Sequence, residues 1–129
     1  MVRSWMLASL LFACPSLSVV AAETSDNCSA DPVAMVIDGV TLDSDQIATY
    51  TSALVQSGLP QNAGARYITD PQPLRTLEGV RKVNHVIVLV DFPSECAALA
   101  FWNYPGYQNK NLPLRATAGD YTIELYRQR

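Results

Sequence analysis

The side chains best suited to chemistry in this sequence are few and well separated. His85, the single histidine, sits inside the run KVNHVIVLVDF (82–92). An imidazole held on a strand can act as a general base, and its charge changes near neutral pH. Asp91 closes the same run just before Phe92-Pro93-Ser94, where it can serve as an acid at the mouth of a pocket. Each has a plainer reading: an imidazole satisfied by a backbone carbonyl, and a carboxylate facing the positive end of the helix it precedes. Tyr50, Phe101, Trp102, Tyr104 and Tyr107 can line an aromatic cavity for a ligand or pack an ordinary core, and the Pro105-Gly106 turn separates the last two. Arg66, Arg75, Arg81 and Arg115 can hold a carboxylate, although their scatter also fits solvated surface charge.

Other chemistries are absent from the pattern. The chain has no Gly-x-Ser-x-Gly elbow, P-loop, Gly-x-Gly-x-x-Gly fingerprint, Cys-x-x-Cys pair or His-Glu-x-x-His helix. One histidine and three cysteines leave little for a transition-metal site, so neither a metal nor another cofactor is expected. With 9 basic against 12 acidic residues, a net charge of −3 and no Lys/Arg run, nucleic acid is not an expected partner.

Positioning these residues requires elements that the sequence marks clearly. Ala34–Thr41 (AMVIDGVT) has strand composition. Asp43 then stands as an N-cap, Gln46 as its capping-box partner, Ile47, Tyr50 and Leu54 as a buried stripe, and Gly58 and Pro60 as stop signals. This predicts a helix over 44–57. A strand follows at Ala65–Thr69, broken at Asp70-Pro71-Gln72-Pro73 and resumed at Leu74–Glu78 as an edge or bulge. The longest strand is Lys82–Phe92, with Ile87 and Leu89 on one face and Val86, Val88 and Val90 on the other. A sheet with one wet face alternates apolar and polar instead, so something must cover each side. Pro93 and Ser94 open a second helix that stops before Pro105; a short turn or helical piece at Gly106–Lys110, a linker through Gly119 and a last strand at Tyr121–Tyr126 complete the chain. The order β-α-β-β-α-β predicts an α+β, ferredoxin-like sheet with two helices on one face. The second apolar face calls for another sheet, most simply that of a second copy in a homodimer.

The segment Met1 to Ala22 has the layout of a cleavable signal peptide: Arg3, an apolar run from Trp5 to Ala13, and the small pair Val20-x-Ala22. That run is about half of the ~20 residues a membrane-spanning helix needs. Cleavage predicts a mature start at Glu23 and a periplasmic or secreted protein without a membrane anchor. The alternative is a lipoprotein tethered at Cys14, since Leu11-Phe12-Ala13-Cys14 resembles a lipobox. Removal leaves Glu23 to Arg129, with eight basic and twelve acidic side chains, a length that supports one thin core. Residues 23–33 read as a flexible tail and 34–129 as a single domain. Cys28 and Cys96, the thiols that remain, either pair, as export permits, or stay free, Cys96 as a small buried hydrophobe.

The block Val88-Leu-Val-Asp-Phe92-Pro93-Ser94-Glu95, followed by Ala97-Ala98-x-Ala100-Phe101-Trp102-Asn103-x-Pro105-x-Tyr107-Gln108, resembles the domain of unknown function 1330 family. Leu77-Glu78-Gly79, Asp43, Tyr50, Arg66-Tyr67 and Leu114-Arg115 add to the likeness, which spans about residues 34–126. The chain departs from the family pattern in its leader and Cys28-bearing tail, in Tyr104 where a small residue is usual and in Gly106 where an acid is usual. The resemblance implies the dimeric α+β-barrel superfamily, whose members include cofactor-independent monooxygenases, lactone isomerases and non-catalytic binding proteins that hold ligands between sheet and helices. It supplies no catalytic residue. Two functions follow as expectations: a dimeric module binding a small apolar or aromatic molecule between helices and sheet, or a cofactor-free enzyme acting on such a molecule with His85 or Asp91 as base.

Overall fold

The computed structural model describes residues 27–129. The predicted leader, its cleavage site and Cys14 lie outside the described residues. The elements run β1 (Val33–Thr41), α1 (Ser44–Ser57), a short α2 (Leu59–Asn62), β2 (Arg66–Tyr67), β3 (His85–Phe92), α3 (Glu95–Asn103), a π-helical turn (Tyr107–Asn111), α4 (Leu112–Ala116) and β4 (Gly119–Arg127). The four strands form one antiparallel sheet in the order β2-β3-β1-β4. This is the ferredoxin-like α+β arrangement.

Local signals explain both main helices. The Asp43 carboxylate accepts the Gln46 N–H at 3.0 Å, and Gly58, at φ +69°, takes the left-handed conformation that ends α1. Gln46 does not close a reciprocal capping box; its side chain instead donates to Thr117 Oγ1 at 2.8 Å, tying α1 to the end of α4. In α3, Ser94 Oγ accepts the Ala97 N–H at 3.0 Å, and Tyr104, forced to extended backbone by Pro105, terminates the helix.

The core lies between the helices and one face of the sheet: Val33, Met35, Val90 and Phe92 from the strands meet Leu54, Ala98, Phe101 and Tyr107. Alternation along the strands therefore turns Val36, Asp38, His85, Ile87, Leu89, Asp91, Thr122 and Glu124 to the opposite face, which none of the described helices covers. Gly39, in the same alternation as Met35 and Ile37, lets β1 and β4 approach, since a Cβ at that position would collide with Asp120 O and sit 2.7 Å from Tyr121 Cα.

Three predicted segments differ. The second strand is cut to Arg66–Tyr67, and nothing at 74–78 resumes it. Pro71 and Pro73 lack N–H groups for a ladder, and only scattered bonds, such as Ile68 N–H to Leu89 O at 2.8 Å and Ile87 N–H to Pro71 O at 3.2 Å, follow β2. Residues 68–84 instead form an arm on which Leu74, Leu77, Val80 and Val83 are almost wholly exposed. β3 begins at His85 rather than Lys82 because Asn84, at φ +58°, turns the chain. The predicted linker after Lys110 is helical. Pro113 cannot donate inside it, and the Leu112 N–H reaches back to Tyr107 O, widening the turn to the π form while Tyr107 and Asn111 anchor it in the core.

The part of the tail described is not loose. Ser29 O and Asp31 O accept the Cys96 and Glu95 N–H groups at 3.2 and 3.1 Å, satisfying donors in the first turn of α3, and Pro32 O accepts from the Gln128 N–H at 3.3 Å. The Cys28–Cys96 disulfide fastens this clasp, with Cα atoms 5.1 Å apart.

Candidate functional site

The aromatic residues expected to wall a ligand cavity pack on one another. The Tyr107 ring lies 4.7 Å from Phe101 and 5.6 Å from Trp102 between centroids, and Phe101 lies 5.7 Å from Phe92. Tyr50 Oη and Tyr107 Oη are 3.0 Å apart, so the phenols satisfy each other inside the layer. Burial, with Tyr107 close by, pushes the Tyr50 hydroxyl well above its ordinary value of 10.0. Tyr104 stands outside this cluster at the Pro105 turn, half exposed. The expected cavity between helices and sheet is thus occupied by Tyr50, Phe101, Trp102 and Tyr107, because the π-helical turn drives Tyr107 between the other rings.

His85 and Asp91 lie on the other side of the sheet from those rings. His85 Nε2 is 2.6 Å from Asp38 Oδ1, a carboxylate partner from β1 rather than the backbone carbonyl of the plainer reading. Asp91 does not serve the start of α3; its two oxygens take Arg66 Nη2 and Gln128 Nε2, each at 2.9 Å, stitching β2 and the end of β4 to β3. That arrangement holds strands together and leaves Asp91 little freedom as an acid.

A cavity of about 580 Å³ opens where the arm meets the uncovered face, lined by Pro71, Leu74, Val80, His85, Ile87 and Leu89 among others. Its walls are chiefly apolar. The polar group it takes from the sheet is the His85 imidazole, oriented by Asp38, whereas Asp70, Arg81 and Lys82 reach it from the arm. Such a cavity falls in the size range of small-molecule sites. His85 was visible in the sequence as a candidate, but its partner and the arm were not. Asp38 is the only charged residue in β1, which is the signal that was available, yet the pairing is diagonal across β1 and β3, where Asp38 stands opposite Ile87 and His85 opposite Val40.

The other arginines divide. Arg81 bonds to Gln72 within the arm, while the Arg115 Cζ lies 5.7 Å from the Tyr50 centroid and 5.5 Å from that of Tyr121. The described residues include no helix long and apolar enough to cross a membrane.

Residues 35–127 match the domain of unknown function family DUF1330. The chain belongs to that family. Among solved structures, the DUF1330 chain is similar to RPA0582, a protein of unknown function from Rhodopseudomonas palustris, with a TM-score of 0.64, 16% identity, and coverage of 84% of this chain and 90% of that one. The methylated form of RPA0582 gives a TM-score of 0.62 at 15% identity, covering 84% and 88%. Likeness at such identity establishes the shared fold alone. No curated protein matches the chain.

Proposed function

We propose that this DUF1330 protein is an exported homodimeric module that binds a small apolar or aromatic molecule, two copies meeting through the uncovered faces of their sheets as in dimeric α+β barrels. The observation that carries the reading is the cavity of about 580 Å³ between the arm and that face, since pairing would place a second sheet over its open side. Ile87 is 46% exposed on the face, and Leu74, Leu77, Val80 and Val83 of the arm are 82–104% exposed. Each such side chain gains about 1.5–3 kcal/mol on burial, so contiguous exposure marks a surface that associates. The ligand's place accordingly moves from the filled aromatic layer to the uncovered face. Export is supported by the leader-like segment from Met1 to Ala22 and by the disulfide, which needs an oxidising compartment.

A second reading rests on one observation: His85, paired with Asp38, lines the same cavity, which suits a cofactor-independent enzyme of monooxygenase or isomerase type with His85 as base. Binding is preferred because Asp38 is the one side chain bonded to His85 among the described residues, and the remaining charged groups of the cavity sit on the exposed arm rather than on the sheet. A catalytic constellation needs its acid, base and charge-stabilising groups held in mutual register. Native mass spectrometry of protein recovered from the exported fraction tests the proposal. It should give a dimer beginning at Glu23, with the disulfide intact and the mass of a retained small molecule. A monomer at micromolar concentration would remove the dimer, and a diacylglyceryl mass on Cys14 would replace free export with a lipid tether.

A further inference from the structure

A second cavity, of about 460 Å³, lies at the other edge of the sheet, where α4 runs beside the start of β4. Leu112, Ala116, Gly119, Asp120 and Tyr121 line it together with Arg115. The Arg115 guanidinium is held there between the Tyr50 and Tyr121 rings, whose centroids stand 5.7 and 5.5 Å from its Cζ. The Tyr121 ring is itself fixed: its hydroxyl is 2.7 Å from Thr41 Oγ1, and a Cβ on Gly119 would come within 2.7 Å of it. Among the described residues one ion pair, Arg66–Asp91, and one imidazole–carboxylate contact, His85–Asp38, occur, and neither involves Arg115. Its Nε is buried without a hydrogen-bond partner, the only buried side-chain nitrogen or oxygen so left among the described residues. The guanidinium, fixed between two rings and without a carboxylate partner among the described residues, carries a charge that an anionic ligand in the cavity would pair.

We propose that Arg115 anchors the carboxylate of a small monocarboxylic acid in this cavity. A carboxylate in the cavity supplies the counter-charge that the guanidinium lacks among the described residues, pairing with its Nη–H fork while Nε stays shielded by the packing around it. The apolar body of the acid lies against Leu112, Ala116 and the Tyr121 ring. Asp120, exposed at the same cavity, sets a negative charge that disfavours a second carboxylate, which selects monoacids over polyacids such as citrate. The site is independent of the dimer reading, because it lies at the β4 edge while the arm cavity borders β2 and β3.

Isothermal titration calorimetry of the exported, disulfide-bonded protein tests this with phenylacetate as probe and citrate as counter-probe. Phenylacetate should saturate with a Kd at or below about 1 mM, where citrate does not. Arg115→Gln should weaken it at least about tenfold and Arg115→Lys less, since an ammonium replaces the charge but not the fork. Because Arg115→Gln also disturbs the Tyr50 and Tyr121 contacts, its thermal melt is recorded alongside. If it unfolds, Ala116→Trp, which fills the cavity and leaves the guanidinium in place, decides. Val36→Glu, on the uncovered face but outside the arm cavity, should keep phenylacetate binding even where it breaks the dimer, so failure of either proposal is seen separately. No saturation of the wild type by phenylacetate, or wild-type affinity in a folded Arg115→Gln or in Ala116→Trp, overturns the assignment.

Discussion

His85 Nε2 and Asp38 Oδ1 meet at 2.6 Å on the uncovered face, bridging β3 to β1 at the rim of the arm cavity. The side chains are 26% and 51% exposed, so as a surface polar contact it contributes about 0–1 kcal/mol to stability. Its geometry is nevertheless the one that orients an imidazole. Loss of His85 therefore separates the two functional readings without a large folding penalty. In a binding module, His85→Ala should leave the melting temperature nearly unchanged and shift ligand affinity modestly. In an enzyme it should lower turnover about 10²–10⁴-fold with binding retained. Equilibrium binding and single-turnover assays on one protein preparation distinguish them.

Leu89 tests the association surface. In one copy it is only half-buried on the uncovered face, where a glutamate can reach water. In a face-to-face dimer the same charge would be enclosed without a partner. Leu89→Glu is expected to yield a folded monomer by sedimentation at about micromolar concentration, the range in which a specific dimer persists. A variant that sediments like a dimeric wild type would show that the face is not the interface.

The disulfide joins positions 68 apart in sequence and clasps the tail to α3. Its removal should cost about 2–4 kcal/mol, a range set by loop entropy and the typical shortfall from it. Cys28→Ser with Cys96→Ser should thus melt lower than wild type yet unfold cooperatively, since the core residues Met35, Val90, Phe92 and Phe101 do not depend on the clasp. Loss of the cooperative transition on calorimetry would mean that the tail is integral to folding.

Tyr50 predicts an alkaline limb. Its folded-state value lies above the ordinary 10.0 because burial and Tyr107 disfavour the phenolate. Below pH 10 the hydroxyl is protonated in both states and has no effect on the pH dependence. Above pH 10 the unfolded chain releases the proton while the folded chain keeps it, so stability falls by about 1.4 kcal/mol per pH unit from this group. Tyr50→Phe should remove that part of the slope and cost about 0.5–1.5 kcal/mol at neutral pH through the lost bond to Tyr107. Urea melts at pH 8, 10 and ~11 measure both effects, and an unchanged slope in the variant would place the alkaline sensitivity elsewhere.

Helix α1 was legible to the residue, because its start and stop depend on side chains within one turn, Asp43 and Gly58. The same holds for the Ser94 cap and the Pro105 stop of α3, and for β1 and β4 to within two residues. The ferredoxin-like order followed from the succession of such segments. The arm was not legible: Leu74 and Leu77 have strand composition, but a strand exists only where a neighbour offers its ladder, and none does there. Nor was the π-helical turn, whose geometry depends on Pro113 lacking a donor and on Tyr107 finding the core. Period-two patterning grouped Ile87 with Leu89 and set them against Val86, Val88 and Val90. With both faces apolar, that pattern had no means of saying which one the helices would cover. Packing decided it: Val90 and Phe92 took Phe101 and Tyr107, the rings filled the layer between them, and His85 was left with Asp38 on the side facing out. Alternation is a property of the backbone, whereas the choice of face depends on which side chains fit together in three dimensions.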